Sequence, residues 1–278
     1  MSSVARRQTV SWLRSIYGGP PDPDDPAEAY HEASKVTPSQ IGRQLQGAAR
    51  LAADRELQLS SMRAVKRQGV AGIPLPAPAP LDCRLGDALQ RRRSHRAFDP
   101  DPVAVDALTA VLHAGYGVTG VLGADEGQPE LRLRAVPSGG ALYPLELYVA
   151  VLRVAGLDPG LYHFDPPRSC LEILRTSVSP DELAGLSTYP EIGSSCAALV
   201  LVAAIFGRTR FKYGLRGYRF ALLEAGHVAQ NVLLAATALG LAAVPLGAFY
   251  DRRTDTFLAL DGVNESTLYA IADGREPT

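Results

Sequence analysis

An almost uninterrupted apolar stretch from Phe220 to Leu241 constrains this chain most, because it is predicted to form a helix with apolar residues on nearly every side. Helices of that kind do not face solvent and need a core or an interface to cover them. The chain has 278 residues, 46% of them hydrophobic, which is enough to build a sizeable core. We therefore expect a globular protein in which this helix is buried in the core or in a subunit interface.

Composition excludes several classes of protein. The formal net charge is −1, so nothing indicates a nucleic-acid partner. Cys83, Cys170 and Cys196 lie far apart without paired spacing, which argues against a zinc site or a disulfide framework. The N-terminus has no apolar run long enough for a signal sequence or a membrane span. We expect a cytoplasmic protein without metal, nucleic-acid or membrane partners.

Two proline-rich stretches divide the chain. Residues from Gly18 to Pro26 cannot be helical, and every second residue from Ile73 to Pro80 is proline, which favours an extended linker. The segment between them, Gln40 to Val70, carries helix formers and a modest apolar stripe. These features predict a partly helical N-terminal extension over residues 1–80 and one folded domain over residues 81–278.

The folded domain mixes helices and strands. Apolar spacing predicts helices over Asp87 to Arg93 and Val103 to Ala114. Short runs rich in Val, Leu and Ile predict buried strands over Leu145 to Leu152 and Ala197 to Ile205. The pattern indicates an α+β domain.

Lys212 and Tyr213 stand side by side in front of the long apolar helix. Both side chains normally titrate near pH ~10, so they act as acids or bases only where burial or a neighbouring charge shifts their pKa values. The pair is a candidate for proton transfer over a hydrophobic pocket. The alternative is an amphipathic pair that caps a core helix.

Arginines cluster around Ser94 in the segment from Arg91 to Phe98. Guanidinium groups beside a hydroxyl can bind a phosphate or an electron-rich heteroaromatic edge. A solvated basic helix end is the alternative, since arginines also suit a helix C-terminus. His95, flanked by arginines, is treated as a surface or packing residue.

Two further segments could approach a flat ligand. Ser138, Gly139 and Gly140 precede a strand, and their small side chains allow close approach of the backbone, while Tyr143 could stack or donate a hydrogen bond. The segment from Val244 to Tyr250 follows the long helix and could present a backbone N–H. For the first segment, a tight turn into the strand is the alternative.

Taken in order, these motifs resemble the nitroreductase superfamily, and within it the SagB-type, McbC-like dehydrogenases of thiazole/oxazole-modified peptide pathways. The motifs are Arg-Arg-Ser-x-Arg-x-Phe, Pro-Ser-Gly-Gly-x-x-Tyr-Pro, Lys-Tyr-Gly-x-Arg, the helix from Glu224 to Asn231, and Pro-Leu-Gly-Ala-Phe. The resemblance covers roughly Leu81 to Arg275, and the segment from Tyr30 to Lys35 also looks like that subgroup. It implies a three-layer α+β sandwich, with a central, mostly antiparallel sheet flanked by helices.

The resemblance also implies an obligate homodimer with two FMN molecules at the interface. Arg92 and Ser94 would face the FMN phosphate, and Arg96 would face the N1/O2 edge of the flavin ring, where a cation stabilises the anionic reduced flavin. Ser138 and Gly139 would approach the flavin of the other subunit.

Four other positions follow from the same resemblance. Gly247 falls where relatives direct a backbone N–H at flavin N5, and Arg275 falls where they place a second phosphate cation. Gln230 and Asn231 could reach the ribityl chain or the substrate, or could instead make helix-to-loop hydrogen bonds. Asp273 departs from the apolar residue expected in the final strand.

For Lys212 and Tyr213 the resemblance implies azoline oxidation, because this pair marks the azoline-oxidising subgroup. We expect an FMN-dependent dehydrogenase that converts an azoline to an azole in a peptide or peptide-like product, with a cyclodehydratase complex as an expected partner. A nitro or quinone reductase that uses NAD(P)H is one alternative. A non-catalytic scaffold subunit of a biosynthetic complex is the other.

Overall fold

A seven-stranded sheet forms the centre of the molecule. The structure is a computed structural model that describes residues 24–38, 42, 46–54, 56, 57, 61, 66, 70–122 and 130–277. The predicted linker from Gly18 to Pro26 lies largely outside these residues, as does much of the segment from Gln40 to Val70. Where the latter is described it includes a helix, Gln46–Ala53.

The strands of the described residues are β1 Gly72–Pro74, β2 Val103–Ala104, β3 Val118–Leu122, β4 Leu131–Arg134, β5 Leu145–Val151, β6 Val154–Ala155, β7 Gly160–Asp165, β8 Cys170–Arg175, β9 Ala198–Ile205, β10 Leu241–Leu246 and β11 Glu265–Arg275. Their helices are α1 Pro26–Ala33, α2 Gln46–Ala53, α3 Leu85–Arg91, α4 Val105–Tyr116, α5 Pro180–Ala184, α6 Pro190–Ser195, α7 Gly207–Tyr213, α8 Leu215–Ala238 and α9 Asp251–Phe257.

The large sheet has the strand order β1-β8-β7-β5-β9-β11-β10. Each of its described strand pairs is antiparallel. The strand β1 belongs to this sheet although it lies before residue 81, so the sheet includes part of the segment that the sequence assigns to the extension. The division at residue 80 stays a prediction.

Helices cover both faces of the sheet. On one face, α4 and α8 pack on side chains such as Val149 and Val200. On the other face, the short helices α5 and α6 and the residue after α9 pack on Tyr148 and Leu201. All seven residues of β5 are buried, because alternate side chains point into these two cores. The predicted α+β three-layer sandwich is confirmed.

Helix boundaries differ from the sequence predictions at several points. The long helix α8 begins at Leu215 and ends at Ala238, and Leu241 starts β10. Gly240, with a φ of +69°, follows the end of the helix, a position that glycine favours because it lacks a Cβ. Val103 and Ala104 form a short strand, and the helix predicted there begins at Val105.

The long helix is also less uniformly buried than predicted. Its inner face is covered, but Leu222 and Leu223 on the outer face are 44% and 61% exposed. The apolar composition had predicted cover on all sides. Such an exposed apolar face is buried only where another surface covers it.

Candidate active site

Lys212 and Tyr213 lie on α7, a short helix of their own at the end of β9. Phe206 follows the strand and Gly214 separates α7 from α8. Gly214 has a φ of +55°, a conformation that favours glycine, so the chain can change direction between the two helices. The sequence had placed the pair directly in front of the long helix. The structure instead presents both side chains, each half-buried, from the neighbouring helix.

The two side chains converge on Gly140. A Cβ added to this glycine would lie 2.5 Å from Oη of Tyr213 and 2.7 Å from Nζ of Lys212. The Lys212 Nζ atom also lies 5.2 Å from the centre of the Tyr213 ring. Gly140, at a φ of +66°, therefore leaves space that the two proton-transfer candidates fill. The structure brings together residues that are distant in the sequence.

Phe220 provides an apolar wall beside this pair. Its ring packs edge-to-face on Tyr213, with 5.0 Å between the ring centres. A Cβ on Gly139 would lie 2.9 Å from the Phe220 ring. A larger residue at Gly139 or Gly140 would therefore clash with side chains of this same chain.

The loop that carries these glycines is held by its own hydrogen bonds. The Ser138 hydroxyl accepts a hydrogen bond from the Tyr143 backbone N–H at 2.9 Å. The Tyr143 hydroxyl accepts one from the Arg134 N–H at 3.0 Å. Tyr143 is only 4% exposed, and a contact of its ring or hydroxyl with a ligand stays a prediction. Its ring belongs to the core that supports the loop.

Glu224 is a buried carboxyl behind the same loop. Its Oε1 accepts a hydrogen bond from the Tyr116 hydroxyl at 2.7 Å, and that hydroxyl accepts one from the Leu145 N–H at 3.1 Å. Burial raises the pKa of Glu224 to about 7, although hydrogen bonds from Ser138 and Tyr116 oppose the rise. A carboxyl with such a pKa can change its protonation state near neutral pH.

A second buried network anchors the start of α7. His163 lies between two carboxylates, with Nε2 at 2.7 Å from Glu146 and Nδ1 at 2.9 Å from Glu172. Arg208, one turn before Lys212, forms an ion pair with Glu146 at 2.6 Å. The Arg208 guanidinium also donates to the Tyr143 carbonyl at 3.2 Å. Arg208 therefore ties the helix of Lys212 to both the sheet and the glycine loop.

The charges of this network follow from its geometry. Burial alone would raise the pKa of Glu146, but Arg208 and His163 outweigh it and lower the pKa to about 2. Burial would lower the pKa of His163, yet the hydrogen bonds and charges of the two glutamates raise it. Glu146 is therefore ionised near neutral pH, paired with the Arg208 cation and hydrogen-bonded to His163.

The predicted phosphate cluster lies at the opposite end of the sheet. Arg92 Nη1 donates to Ser94 Oγ at 3.4 Å. The segment then runs beside the sheet, with the His95 N–H bonded to the Ala243 carbonyl and the Asp99 N–H bonded to the Arg275 carbonyl. The Arg275 side chain is 53% exposed. The segment from Arg92 to Asp99 thus runs past the corner of the sheet where β10 begins and β11 ends. There the Arg275 guanidinium pairs with Asp101 at 3.5 Å, and Arg96 is exposed on the segment.

The strand β10 leads from this corner towards Gly247. Leu241 pairs with Arg275 at one end of the strand, and Gly247 follows Leu246 at the other end, exposed and without crowding at its Cα. At about 3.3 Å per residue the two ends lie roughly 20 Å apart.

Gln230 and Asn231 lie away from Lys212 and Tyr213. They are ten or more residues beyond Phe220 on α8, about 15 Å along the helix axis. The Asn231 side chain donates to the Ala114 carbonyl of α4 at 2.9 Å, a structural hydrogen bond between two helices where the sequence had left a helix-to-loop bond open. Gln230 is exposed. A shallow apolar cavity of about 210 Å³ lies beside Asn231, between α3 and α8.

Sequence reasoning missed the buried polar residues that support the site. The main ones are Tyr116, Arg134, Glu146, His163, Glu172 and Arg208. A usable signal was present, because a single charged residue inside an otherwise apolar strand, such as Glu146, is costly to bury unless it is paired. In the sequence, Glu224 stands out only as the first residue of the helix motif that ends at Asn231.

Two kinds of feature are absent from the described residues, a metal-binding cluster and a membrane-spanning helix. Within them, no group of three or more His, Cys, Asp and Glu side chains is arranged to hold a metal ion. No helix in the described part of the chain is both long and apolar enough to cross a lipid bilayer.

The sequence matches known proteins over most of its length. Residues 89–275 match the model of the nitroreductase family. A protein of Methanocaldococcus jannaschii, whose name assigns it to the nitroreductases, is 41% identical over 197 residues, which are 70% of this chain and 92% of that protein. The microcin B17-processing protein McbC of Escherichia coli is 38% identical over 116 residues, which are 39% of this chain and 42% of McbC.

The trifolitoxin-processing protein TfxB of Rhizobium leguminosarum bv. trifolii is 30% identical over 178 residues. The match covers 62% of this chain and 47% of TfxB, so the chain spans about half or less of each of these two processing proteins.

Solved structures share the fold. A structure from Ralstonia eutropha, titled as a nitroreductase, has a TM-score of 0.62 and 26% identity, and covers 78% of this chain and 94% of its own. A chain of the E. coli microcin synthetase McbBCD complex, with truncated pro-MccB17 bound, has a TM-score of 0.59 and 22% identity, and covers 100% and 99%. The predicted resemblance to the nitroreductase superfamily and its McbC-like group is confirmed, and the chain belongs to the nitroreductase family.

Proposed function

We propose that the protein is an FMN-dependent dehydrogenase that oxidises an azoline, a thiazoline or an oxazoline, to the azole in a peptide or peptide-like product. The observation that carries this proposal is the convergence of Lys212 Nζ and Tyr213 Oη over Gly140. Two proton-transfer groups beside an apolar wall suit a reaction that removes a proton from carbon. The family supports the coarser statement, a flavin oxidoreductase.

The reaction removes two hydrogens from the ring. A base takes the proton from Cα while a hydrogen leaves Cβ with its electron pair, and the ring becomes aromatic. Lys212 or Tyr213 would take the proton, because both polar atoms face the same space. FMN, when bound, supplies the two-electron acceptor, and an external oxidant must later regenerate it. Phe220 would help to exclude water from the reacting ring.

The described residues fit the charge of FMN. Arg92 and Ser94 lie together, and Arg275 lies at the same corner of the sheet; two guanidinium groups and a hydroxyl are a donor set suited to a phosphate, which would compete with Asp101 for Arg275. The strand β10 then leads to Gly247, whose backbone N–H we assign to flavin N5. Arg96 would serve the N1/O2 edge. Gln230 is available for the ribityl chain, whereas the Asn231 amide is already used by α4.

A homodimer completes this proposal. Several leucines on the outer surface of α3 and α8 are exposed: Leu85 by 67%, Leu89 by 53%, Leu222 by 44% and Leu223 by 61%. An exposed apolar surface of this kind is typical of a subunit interface. We place this surface against a second copy of the chain, with Ser138 and Gly139 directed towards the FMN of the other subunit.

The relatives support a peptide substrate. McbC and TfxB are named for processing of microcin B17 and trifolitoxin, and a structure with the same fold contains truncated pro-MccB17. We propose by analogy that the protein acts on a modified peptide, together with a cyclodehydratase that forms the azoline.

A nitro or quinone reductase that uses NAD(P)H is the second candidate. The M. jannaschii protein favours it, because it is 41% identical and its name assigns it to the nitroreductases. The arrangement of Lys212 and Tyr213 favours the dehydrogenase, since quinone or nitro reduction does not require a base for a carbon-bound proton.

One experiment separates the two functions. The purified FMN-loaded protein is mixed with a thiazoline-containing peptide in air, and, separately, with NADPH and a quinone. We expect the peptide to lose two hydrogen atoms by mass spectrometry, with catalytic turnover, and NADPH consumption to stay low. Rapid quinone-dependent NADPH oxidation without any change in the peptide would favour the reductase.

A further inference from the structure

We infer that the N-terminal extension is a positioning element of the active site, which holds the helix of Lys212 and Tyr213 in place. This inference rests on the proposed function, because it assigns the extension to the chemistry of that pair. Its basis is that three separately described parts of the extension contact α7 itself, the first turn of α8 that follows it, and the buried carboxylate that pairs with the first turn of α7.

The first contact is made by α2. Gly47 packs so closely on α7 that an added Cβ would overlap the carbonyl oxygen of Phe211 and lie 2.7 Å from Cα of Lys212. Both atoms belong to the backbone, so they cannot rotate away as a flexible side chain would. The extension therefore touches the main chain of the proposed catalytic residue itself.

The second contact is made by α1, at the junction between α7 and α8. The Tyr30 hydroxyl donates to the Leu215 carbonyl at 3.2 Å, and Arg219 donates to the His31 carbonyl at 2.6 Å. Leu215 is the second residue after Tyr213. The C-terminal end of α7 is thus fixed from the extension side.

The same helix also supports the other end of α7 through aromatic rings. Tyr30 packs edge-to-face on Tyr218, with ring centres 5.5 Å apart, and Tyr218 stacks on Phe206 at 4.6 Å. Phe206 is the residue directly before α7. One helix of the extension therefore contacts the first turn of α8, just beyond the end of α7, and reaches the residue before α7 through one intervening ring.

The third contact lies at the buried network. The Lys66 backbone N–H donates to Glu146 Oε1 at 2.7 Å, and the Lys66 side chain pairs with Glu265. Glu146 in turn binds Arg208 on the first turn of α7. A seven-residue helix is only marginally stable by itself, so these contacts from outside determine where Lys212 and Tyr213 lie.

Gly47→Ala tests the inference, with Gly42→Ala as a matched control in the same extension. Among the residues that the structure describes, a Cβ on Gly42 would meet nothing within 4 Å, so the two variants add the same atom with and without the contact to α7. Both are made in the full chain and studied as FMN-loaded protein. The readouts are kcat and KM for azoline oxidation, FMN content, and hydrogen exchange over residues 207–213.

For Gly47→Ala we expect kcat to fall about tenfold or more, because small displacements of a catalytic group cost this much or more. KM and FMN content should change by less than about twofold, since neither is assigned to Lys212. Hydrogen exchange should become faster over residues 207–213. Gly42→Ala should match the parent in all four readouts. Parent-like kcat and exchange in Gly47→Ala would overturn the inference.

Two further variants keep the test decisive. Lys212→Ala is assayed in parallel. If this variant keeps the turnover of the parent, the proposed function fails. If Lys212→Ala loses turnover while Gly47→Ala behaves like the parent, only the role of the extension is refuted. If Gly47→Ala does not fold, Tyr30→Ala replaces it, since it removes the contacts with Leu215 and Tyr218. Unchanged exchange over residues 207–213 in Tyr30→Ala would also contradict the inference.

Discussion

Asp273 should make the protein less stable as the pH rises. This carboxyl lies in the middle layer of the molecule, 2% exposed, and neither of its oxygens has a hydrogen-bond partner among the described residues. Its neighbours on the adjoining strands are Ala198 and Ala243, which offer no polar group from their side chains. The departure from an apolar residue noted in the sequence is therefore a buried acid.

The size of the effect follows from the pKa. Burial raises the pKa of Asp273 from an ordinary value of 3.8 to about 8. Because the folded protein holds the proton more tightly, stability is greatest below the unfolded pKa and is lost progressively as the pH rises through about 8. A shift of this size corresponds to roughly 5 kcal/mol once the folded-state carboxyl is ionised.

Asp273→Asn tests this reasoning, because the amide has a similar shape but cannot ionise. We expect urea unfolding with saturating FMN to show the variant several kcal/mol more stable than the parent at pH 9, and close to it at pH 4. Asp158→Asn, at an exposed carboxyl, is the control and should show no such dependence. If Asp273→Asn were less stable than the parent by the same amount at every pH, the carboxyl would have a partner and the argument would be refuted.

Three other predictions concern the cofactor, the interface and Glu224. Arg92→Ala should lower FMN affinity by about tenfold to a hundredfold, the cost of one charge-assisted contact; full flavin occupancy after extensive dialysis would contradict this. Leu223→Glu should give a monomer in light scattering, because it charges the exposed apolar face of α8; an intact dimer would exclude this face as the interface. The pKa of Glu224 is about 7, so its contribution to the free energy of unfolding should be present below pH 4.5 and lost as the pH rises through 7. The free energy of unfolding of Glu224→Gln should therefore depend less on pH in that range than that of the parent, and an equal pH dependence would contradict this prediction.

The sequence predicted the parts of the fold that rest on continuous apolar runs. The strands β5 and β9 were found because, apart from Glu146, the positions in them are apolar or aromatic, as cover on both faces requires. The strands β7 and β8 were not predicted, since His163 and Glu172 interrupt their apolar pattern. Those residues are buried as part of a network with Glu146 and Arg168, and pairing between strands is not visible in one sequence.

The sequence pointed to the residues of the candidate site but not to their arrangement in space. Lys212 and Tyr213 stood out by type and by family resemblance, yet their contact with Gly140 depends on how α7 folds back over a distant loop. The contact of Gly47 with the backbone of α7 likewise depends on the tertiary fold. Side chains such as Tyr143 look like ligand contacts in a sequence, because an aromatic hydroxyl suits either a ligand or a buried backbone group.

The most direct test of the account is azoline oxidation by Tyr213→Phe and Lys212→Ala, measured beside the visible flavin spectrum. If the pair transfers protons and does not hold FMN, each variant should keep a normal spectrum and dimer, and at least one should lose turnover by about 10² or more. Tyr213→Phe is the sharper variant because it removes only the hydroxyl that faces Gly140. Parent-like turnover in both variants, with FMN bound, would contradict the account and leave the pair as a polar cap on the core.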